Sequence, residues 1–306
     1  MSIRGLASVL CLLALVAGAR LAATRGPAPA AAAAPLPFFY DLYTFRDDRG
    51  GTDVVAAIAV EAGNLRRVRR GPDFRYRFDL RFVLADTVSR TVVRSVDSVF
   101  VSLPYQLPGE HLLHTYVEVQ SPASETTVQR VVVTDASRPG VGQLYQSPLT
   151  VPDYSGDHLM LSDVAFGLPD AEEGWVRRGH TLALLPTSQF PESAFDVYYE
   201  IYNLRAGAPY ETEIAIASRD GDEDKDEGIA ARAVFRGEAA SDPDGSLPEL
   251  RRVESALPEG RYTLTVTVRN QVTGETVSKS RPIDVRGWGG GMTMVRALPR
   301  LGAATS

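Results

Sequence analysis

An acidic run between two predicted strands is the first candidate for chemistry in the sequence. It extends from Asp220 to Gly228 and carries aspartates at every second position, namely Asp220, Asp222, Asp224 and Asp226. Closely spaced carboxylates can coordinate calcium, which takes about 6–8 oxygen ligands. The EF-hand spacing fails, because its glycine position holds Lys225 and its final glutamate position holds Ala231. Since like charges also keep a solvated hairpin tip open, the sequence favours a plain loop and leaves calcium as the alternative.

A tyrosine-rich strand is the second candidate. If alternate residues from Val197 face a core, Tyr198, Glu200 and Tyr202 share the opposite face, because side chains alternate along a strand. Two amphipathic rings around a carboxylate could stack on a sugar or anchor a partner protein. The alternative, which the sequence favours, is that tyrosine suits strands and is covered by a neighbouring element.

The remaining reactive residue types form no recognisable catalytic or cofactor-binding pattern. The histidines are His111, His114, His158 and His180. His111 and His114 point to opposite faces of a strand and cannot share one metal ion. The sequence contains no Gly-x-Ser-x-Gly elbow, no His-Glu-x-x-His and no phosphate-binding glycine loop. We therefore predict no catalytic residues, no metal site beyond the calcium alternative, and a protein that is not an enzyme.

Composition and the N-terminus indicate an exported, folded protein. The 306 residues are 44% hydrophobic and 23% charged, with a net charge of -6, which gives no reason to expect a nucleic-acid partner. Arg4, the apolar stretch 6–16 and the small residues 17–19 resemble a secretory signal peptide. The expected location is periplasmic or extracellular, without a membrane span in the mature chain; an uncleaved anchor is the alternative. Cys11, the only cysteine, lies in this leader, so no disulfide is expected.

The rest of the chain has the pattern of an all-β protein. Short runs of Val, Ile, Tyr, Phe and Thr alternate with Gly, Pro, Asp and Asn clusters. The favoured architecture is two tandem immunoglobulin- or fibronectin-like β-sandwich domains; one larger barrel is the alternative. The predicted boundaries are a signal peptide at 1–19, an Ala/Pro-rich linker at 20–37, sandwiches at 38–147 and 157–286, and a Gly-rich flexible tail at 287–306.

An internal repeat supports two related domains. Leu107-Pro108-Gly109 precedes one alternating strand, and Leu257-Pro258-Glu259-Gly260 precedes another. Each strand leads over a short polar link into a further strand, so the sequence predicts the same hairpin at the end of each domain.

Several segments together resemble the β-rich part of GWxTD-domain-containing bacterial proteins. They are 53–60, Ser162-Asp163-Val164, 197–204 and 257–262, and the resemblance covers Phe38 to Val285. The naming motif is absent, because Gly174-Trp175 is followed by Val176-Arg177-Arg178. The resemblance implies export and β structure and carries no activity.

These observations predict an exported, non-catalytic module of the cell envelope that binds another protein or has a structural role. One alternative is a glycan- or ligand-binding module that uses the face of Tyr198 and Tyr202. The other is an enzyme of unrecognised type, because sandwiches can carry sites on their end loops.

Overall fold

The protein is described from a computed structural model that covers residues 35–186, 194–219, 228–254 and 257–285, together with the backbone of 189–190 and 292–294. The described residues contain β-strands, one short 3₁₀ turn at Ala62–Asn64 and no α-helix. None of them forms a helix long and apolar enough to cross a bilayer. The predicted signal peptide lies outside these residues, as do 220–227 with all four candidate calcium ligands.

Within the described residues, twenty strands form four sheets. Strands β1 to β10 are Phe39–Arg46, Thr52–Glu61, Val68–Arg70, Asp73–Asp86, Val92–Leu103, Leu112–Ser121, Ser124–Asp135, Gly142–Val151, Met160–Leu161 and Ala165–Leu168. Strands β11 to β20 are Trp175–Arg177, His180–Leu184, Gln189–Phe190, Ala194–Tyr202, Pro209–Ser218, Ile229–Glu238, Ser246–Glu254, Gly260–Asn270, Thr276–Val285 and Met292–Met294.

The four sheets form two sandwiches. In the first sandwich, sheet 1 contains β3, β4, β5, β7 and β8, and sheet 2 has the strand order β1-β2-β6-β20. In the second sandwich, sheet 3 has the order β11-β12-β10-β14-β17, with β9 beside β14, and sheet 4 has the order β13-β19-β18-β15-β16. The prediction of an all-β fold with tandem immunoglobulin-like sandwiches is confirmed.

Three apolar cores order the sheets as a stack from 1 to 4. The first core joins sheets 1 and 2 through residues such as Phe78, Phe82 and Ile58. The last joins sheets 3 and 4 through residues such as Ile201 and Val266. A third core lies between the sandwiches, where sheet 2 meets sheet 3. Its members are Tyr43, Phe45, Val55, Ala57, Ala165, Trp175, Leu182, Leu184 and Tyr198. The two inner sheets are therefore covered on both faces.

Strand β2 shows how the sequence produces this arrangement. A sheet that is half exposed alternates apolar and polar residues, whereas a sheet covered on both faces is apolar at successive positions. Residues 54–60 are all apolar and fully buried. Val54, Ala56 and Ile58 belong to the first core, while Val55 and Ala57 belong to the core between the sandwiches. By contrast, β4 alternates, and Arg77 and Arg81 are exposed between buried apolar residues.

Three features differ from the sequence prediction. Leu36 is fully buried in the first core, so the first sandwich begins before residue 38. Strand β8 continues the same sandwich to Val151, past the predicted boundary at 147. Part of the predicted flexible tail, Met292–Met294, instead pairs in parallel with β6 of sheet 2.

The predicted repeat of one hairpin is wrong for the first sandwich. Strands β18 and β19 do pair as an antiparallel hairpin. Strand β6, however, pairs with β2 in sheet 2, whereas β7 pairs with β4 and β8 in sheet 1. The link between β6 and β7 therefore crosses between sheets. Alternation locates a strand and its turn, but it does not determine which sheet the next strand joins.

Candidate functional site

The tyrosine strand lies in the interior, with its candidate face against the first sandwich. Tyr198, Glu200 and Tyr202 are all fully buried. The prediction that these three side chains could form a surface platform for a sugar or a partner is therefore wrong, because sheet 2 and the β11–β12 hairpin cover that face of β14. The alternative interpretation, in which a neighbouring element covers the tyrosines, agrees with the observed burial of this strand.

Glu200 is the centre of a buried polar cluster. Its Oε1 atom accepts hydrogen bonds from Tyr198 OH at 2.7 Å and from Arg177 Nε at 2.5 Å. Its Oε2 atom accepts one from Tyr202 OH at 2.9 Å and lies 3.3 Å from Arg178 Nε. The Glu200 backbone N–H donates to Ser162 Oγ at 2.8 Å. Both carboxylate oxygens are thus occupied by donors from its own chain.

A tight hairpin delivers the two arginines. Arg177 pairs with His180 across the β11–β12 turn, so Arg178 and Gly179 are its two central residues. Both have a positive φ, 46° for Arg178 and 80° for Gly179. A two-residue turn of this kind needs positive φ at both positions, and its twist matches that of the flanking strands. Arg177 and Arg178 are consequently held as neighbours above Glu200.

Arg177 extends the cluster to the first sandwich. Its Nη1 atom donates to Asp53 on β2 at 2.9 Å, and its Nη2 atom donates to the backbone carbonyl of Arg46 on β1 at 2.6 Å. The guanidinium also lies over the Phe45 ring, 4.9 Å from its centroid. In return, the Arg46 backbone N–H donates to Tyr202 OH at 2.8 Å. We refer to Arg46, Asp53, Arg177, Arg178, Tyr198, Glu200 and Tyr202 as the Glu200 cluster.

The protonation states in this cluster follow from burial and charge. Burial raises the pKa values of Tyr198 and Tyr202, and the negative Glu200 raises them further. Both phenols therefore stay protonated and act as donors. Burial opposes the charge on Arg177, but its contacts with the Glu200 and Asp53 carboxylates together outweigh that effect and keep its pKa above the usual value. Burial raises the pKa of Asp53, although its contact with Arg177 favours the ionised form.

A second polar group holds the edge of the same interface. Thr44 on β1 donates to Asp163 through its backbone N–H at 2.9 Å and its hydroxyl at 2.7 Å. Arg281 on β19 forms an ion pair with Asp41, and its guanidinium lies 4.8 Å from the Tyr43 ring centroid. Tyr43 OH donates to the Leu185 carbonyl at 2.8 Å. The two sandwiches are thus joined by hydrogen bonds at several points around an apolar centre.

The histidines do not come together. His114 on β6 is fully buried, and neither ring nitrogen has a hydrogen-bond partner in suitable geometry among the described residues. Burial lowers the pKa of His114 to about 4, although the nearby Leu184 carbonyl partly opposes this shift. His158 is exposed in a loop. In the described part of the chain, no three His, Cys, Asp or Glu side chains are grouped as metal ligands.

Two cavities of the described residues lie away from the Glu200 cluster. One of about 390 Å³ opens between the edge strands β16 and β17, over Ile214, Phe235 and Val253. Another of about 380 Å³ lies at one end of the first sandwich, beside Asp86 and Ser124. Asp86 accepts hydrogen bonds from the backbone N–H groups of Val88 and Ser89, at 2.8 Å and 2.6 Å. Those bonds order the loop around its own carboxylate.

Sequence reasoning found Tyr198, Glu200 and Tyr202 but missed Arg46, Asp53, Arg177 and Arg178. The segment Arg177-Arg178-Gly179-His180 did contain a usable signal, because an X-Gly pair between short strands predicts a two-residue turn. What that turn faces depends on the packing of the other sandwich. The arrangement can fix one sandwich against the other, because the Glu200 carboxylate and the Tyr198 and Tyr202 hydroxyls at its centre are buried and paired with one another. At its rim, the more exposed carboxylates of Glu118 and Asp242 form ion pairs with Arg177 and Arg178.

Comparisons with known proteins add little beyond the fold. No protein-family model and no curated protein matches the chain. Among solved structures, red sea bream transglutaminase is similar over 81% of this chain and 31% of its own, at 13% identity and a TM-score of 0.23. A tetra-tandem repeat from the extending region of a large adhesion protein is similar over 82% of this chain and 50% of its own, at 11% identity and a TM-score of 0.23. A Bacteroides uniformis β-glucuronidase is similar over 76% of this chain and 26% of its own, at 10% identity and a TM-score of 0.26. This chain therefore spans half or less of each of these structures.

Proposed function

We propose that this chain is an exported, non-catalytic structural and protein-interaction module of the cell envelope, in which two sandwiches act as one rigid body. The observation that carries the proposal is the Glu200 cluster, which joins β14 and the β11–β12 hairpin to β1 and β2 through buried hydrogen bonds. Domains that move independently have small and more polar contacts. Here the polar cluster lies beside an apolar core between the two sandwiches.

Rigidity matters because it fixes the distance between two outer faces. Packed sheets lie about 10 Å apart, so a stack of four places the outer faces of sheets 1 and 4 roughly 30 Å from each other. A buried ion-pair network adds little net stability, but it penalises other arrangements, because any shift leaves a charge buried without a partner. The cluster is therefore suited to hold one orientation of the two sandwiches.

The two alternative functions have less support. The glycan-binding alternative relied on an exposed face of Tyr198 and Tyr202, and both side chains are buried. The enzyme alternative requires ionisable groups that converge on an open cavity. Glu200, at the centre of its cluster, is closed off from solvent. Asp86, beside the cavity at one end of the first sandwich, is occupied by donors of its own loop. Export continues to rest on the predicted leader, and the GWxTD resemblance remains a prediction compatible with it.

In-cell photocrosslinking of the full-length chain tests the interaction role. A photoreactive side chain is placed at Val96 on the outer face of sheet 1, at Val234 on the outer face of sheet 4, or at the loop residue Val272 as a control; all three are exposed. We expect a discrete crosslinked protein from at least one outer face and none from Val272. No crosslink from either face would refute the interaction role, and recovery of the uncleaved chain in the cytosolic fraction would refute export.

A further inference from the structure

The outer face of sheet 1 carries apolar residues where solvent-facing residues are expected. One row across β5, β4, β7 and β8 contains Val92, Ala85, Val128 and Pro148. A second row contains Val96, Arg81, Val132 and Leu144. These residues point outward, because their neighbours on β4, such as Phe82 and Leu84, are buried in the first core.

Several of these outward side chains are well exposed. The exposed fractions are 60% for Val92, 61% for Val96 and 50% for Leu144, and Phe100 on β5 adds 37%. The outer face of sheet 4 shows what a solvated face of this protein looks like. There, Thr265 and Thr267 form hydroxyl hydrogen bonds with Ser280 and Ser278 across β18 and β19. On sheet 4 the exposed large apolar side chains, Ile229 and Val234, lie on the edge strand β16, whereas on sheet 1 they lie on β5 and β8 and are joined across the sheet by Val128 and Val132. An exposed apolar patch that continues across a sheet indicates an interaction site.

The same face is basic, although the chain as a whole has a net charge of -6. Along β3, β4, β5 and β7, the outward ionisable residues are six arginines and two aspartates: Arg70, Arg75, Arg77, Arg81, Arg94, Arg130, Asp73 and Asp79. Arg77 lies 3.8 Å from Asp79, and Arg130 donates to the amide oxygen of Gln146. Within the described residues, Arg81 and Arg94 have no acidic partner. This surface is complementary to a negatively charged one.

The mixture of arginine and valine indicates the kind of partner. An anionic polymer would engage the guanidinium groups and leave the apolar rows in water. Protein interfaces combine an apolar centre with arginine, whose planar group binds carboxylates with two hydrogen bonds. Four strands about 4.8 Å apart and about 34 Å long give roughly 650 Å², which is close to the roughly 800 Å² that one partner contributes to a standard interface.

We propose that the outer face of sheet 1 binds a protein surface in which acidic side chains surround an apolar patch. This inference rests on the proposed interaction role and adds the face and the chemistry of the partner. The arginines supply orientation and long-range attraction, and the valine rows supply the area removed from water. The attraction therefore weakens as salt is added, because exposed charges are screened over about 10 Å at 0.1 M salt.

Binding of defined polymers to the purified full-length chain tests the proposal by biolayer interferometry. The probes are a soluble glutamate–tyrosine copolymer, which is both acidic and apolar, and polyglutamate, which is acidic only. Dextran sulfate and phosphatidylglycerol vesicles represent the other classes of anionic partner. We expect the copolymer to bind more tightly than polyglutamate.

Three variants locate the binding. The triple substitution Arg81→Gln, Arg94→Gln, Arg130→Gln should weaken copolymer binding about tenfold or more, as expected for three exposed charge contacts. The control Arg232→Gln, Arg236→Gln, Arg269→Gln removes the same charge from the outer face of sheet 4 and should leave binding within about twofold of the original. Val96→Thr with Leu144→Thr should weaken binding of the copolymer and leave that of polyglutamate unchanged. Unchanged unfolding midpoints show that each variant is folded.

Several outcomes would overturn this proposal. The first is that the copolymer does not bind, and the second is that the sheet 4 control loses as much copolymer affinity as the sheet 1 variant. The third is that dextran sulfate or the vesicles bind in a way that depends on the arginines but not on Val96 and Leu144. Failure here is distinct from failure of the proposed function. Crosslinks in cells without copolymer binding would reject only the partner chemistry, whereas copolymer binding without crosslinks from either outer face would reject the interaction role.

Discussion

Replacement of Glu200 by glutamine tests the central role of the buried cluster. The variant keeps the size of the side chain but removes the charge that faces Arg177 and Arg178. Removal of one partner from a buried ion pair costs about 3–5 kcal/mol, because the other charge stays buried. Arg177 retains Asp53 as a partner, and the glutamine oxygen can still accept one bond. We therefore expect the low end of that range, a loss of about 3 kcal/mol.

Urea unfolding of the full-length chain, followed by circular dichroism and by tryptophan fluorescence, measures this loss. Glu213→Gln is the matched control, because Glu213 pairs at 2.6 Å with Arg232, whose side chain is 55% exposed. Such a surface pair contributes less than about 1 kcal/mol. We also expect the two signals to separate in Glu200→Gln, since Trp175 lies in the core between the sandwiches. A loss below about 1 kcal/mol with coincident transitions would show that the cluster does not couple the sandwiches.

Three further predictions concern other parts of the chain. Burial lowers the folded-state pKa of His114 to about 4, so the free energy of unfolding should fall by roughly 3 kcal/mol as the pH falls from about 6.5 toward 4. Urea unfolding midpoints should keep this pH dependence in His158→Leu and lose it in His114→Leu. Gly174→Ala should lower the free energy of unfolding by about 3 kcal/mol, measured by thermal unfolding, because the added Cβ would lie 2.3 Å from the Leu182 carbonyl oxygen. Gly140→Ala is the control: its φ is +83° and its Cβ would meet open space, so it should cost about 1–2 kcal/mol. Excess EDTA should leave the melting temperature unchanged if 220–227 is a plain loop, and a clear fall would assign calcium to that segment.

Strands with an uninterrupted local pattern could be predicted well from the sequence. The apolar runs at 52–61 and 92–103 are bounded by turn residues in the sequence, and strands β2 and β5 have those bounds. Strands β8 and β17 are harder to predict, because they contain Pro148 and Pro248. Proline cannot donate to a neighbouring strand, so it argues against a central strand and is compatible with an edge. Both strands do lie at sheet edges, which a local pattern does not reveal.

The candidate site was only half predictable for a related reason. The period of two placed Tyr198, Glu200 and Tyr202 on one face, but it does not determine whether that face meets water or another sheet. The continuous apolar run at 54–60 contained this information, since only a sheet covered on both faces has such a strand. The partners Asp53 and Arg177 are far apart in sequence and meet only because sheet 2 packs on sheet 3.

A few charged and apolar residues of this protein occupy the reverse of their usual places, and they contribute to different properties. Glu200 is fully buried and the Arg177 side chain largely so between the sandwiches, whereas Val92 and Val96 are exposed on sheet 1. Because the face of sheet 1 belongs entirely to the first sandwich, copolymer binding should survive Glu200→Gln. A partner that spans both outer faces should instead lose affinity in that variant, because its two contact surfaces are no longer held at one distance. Comparison of the two affinities therefore separates recognition by one face from the function of the rigid pair.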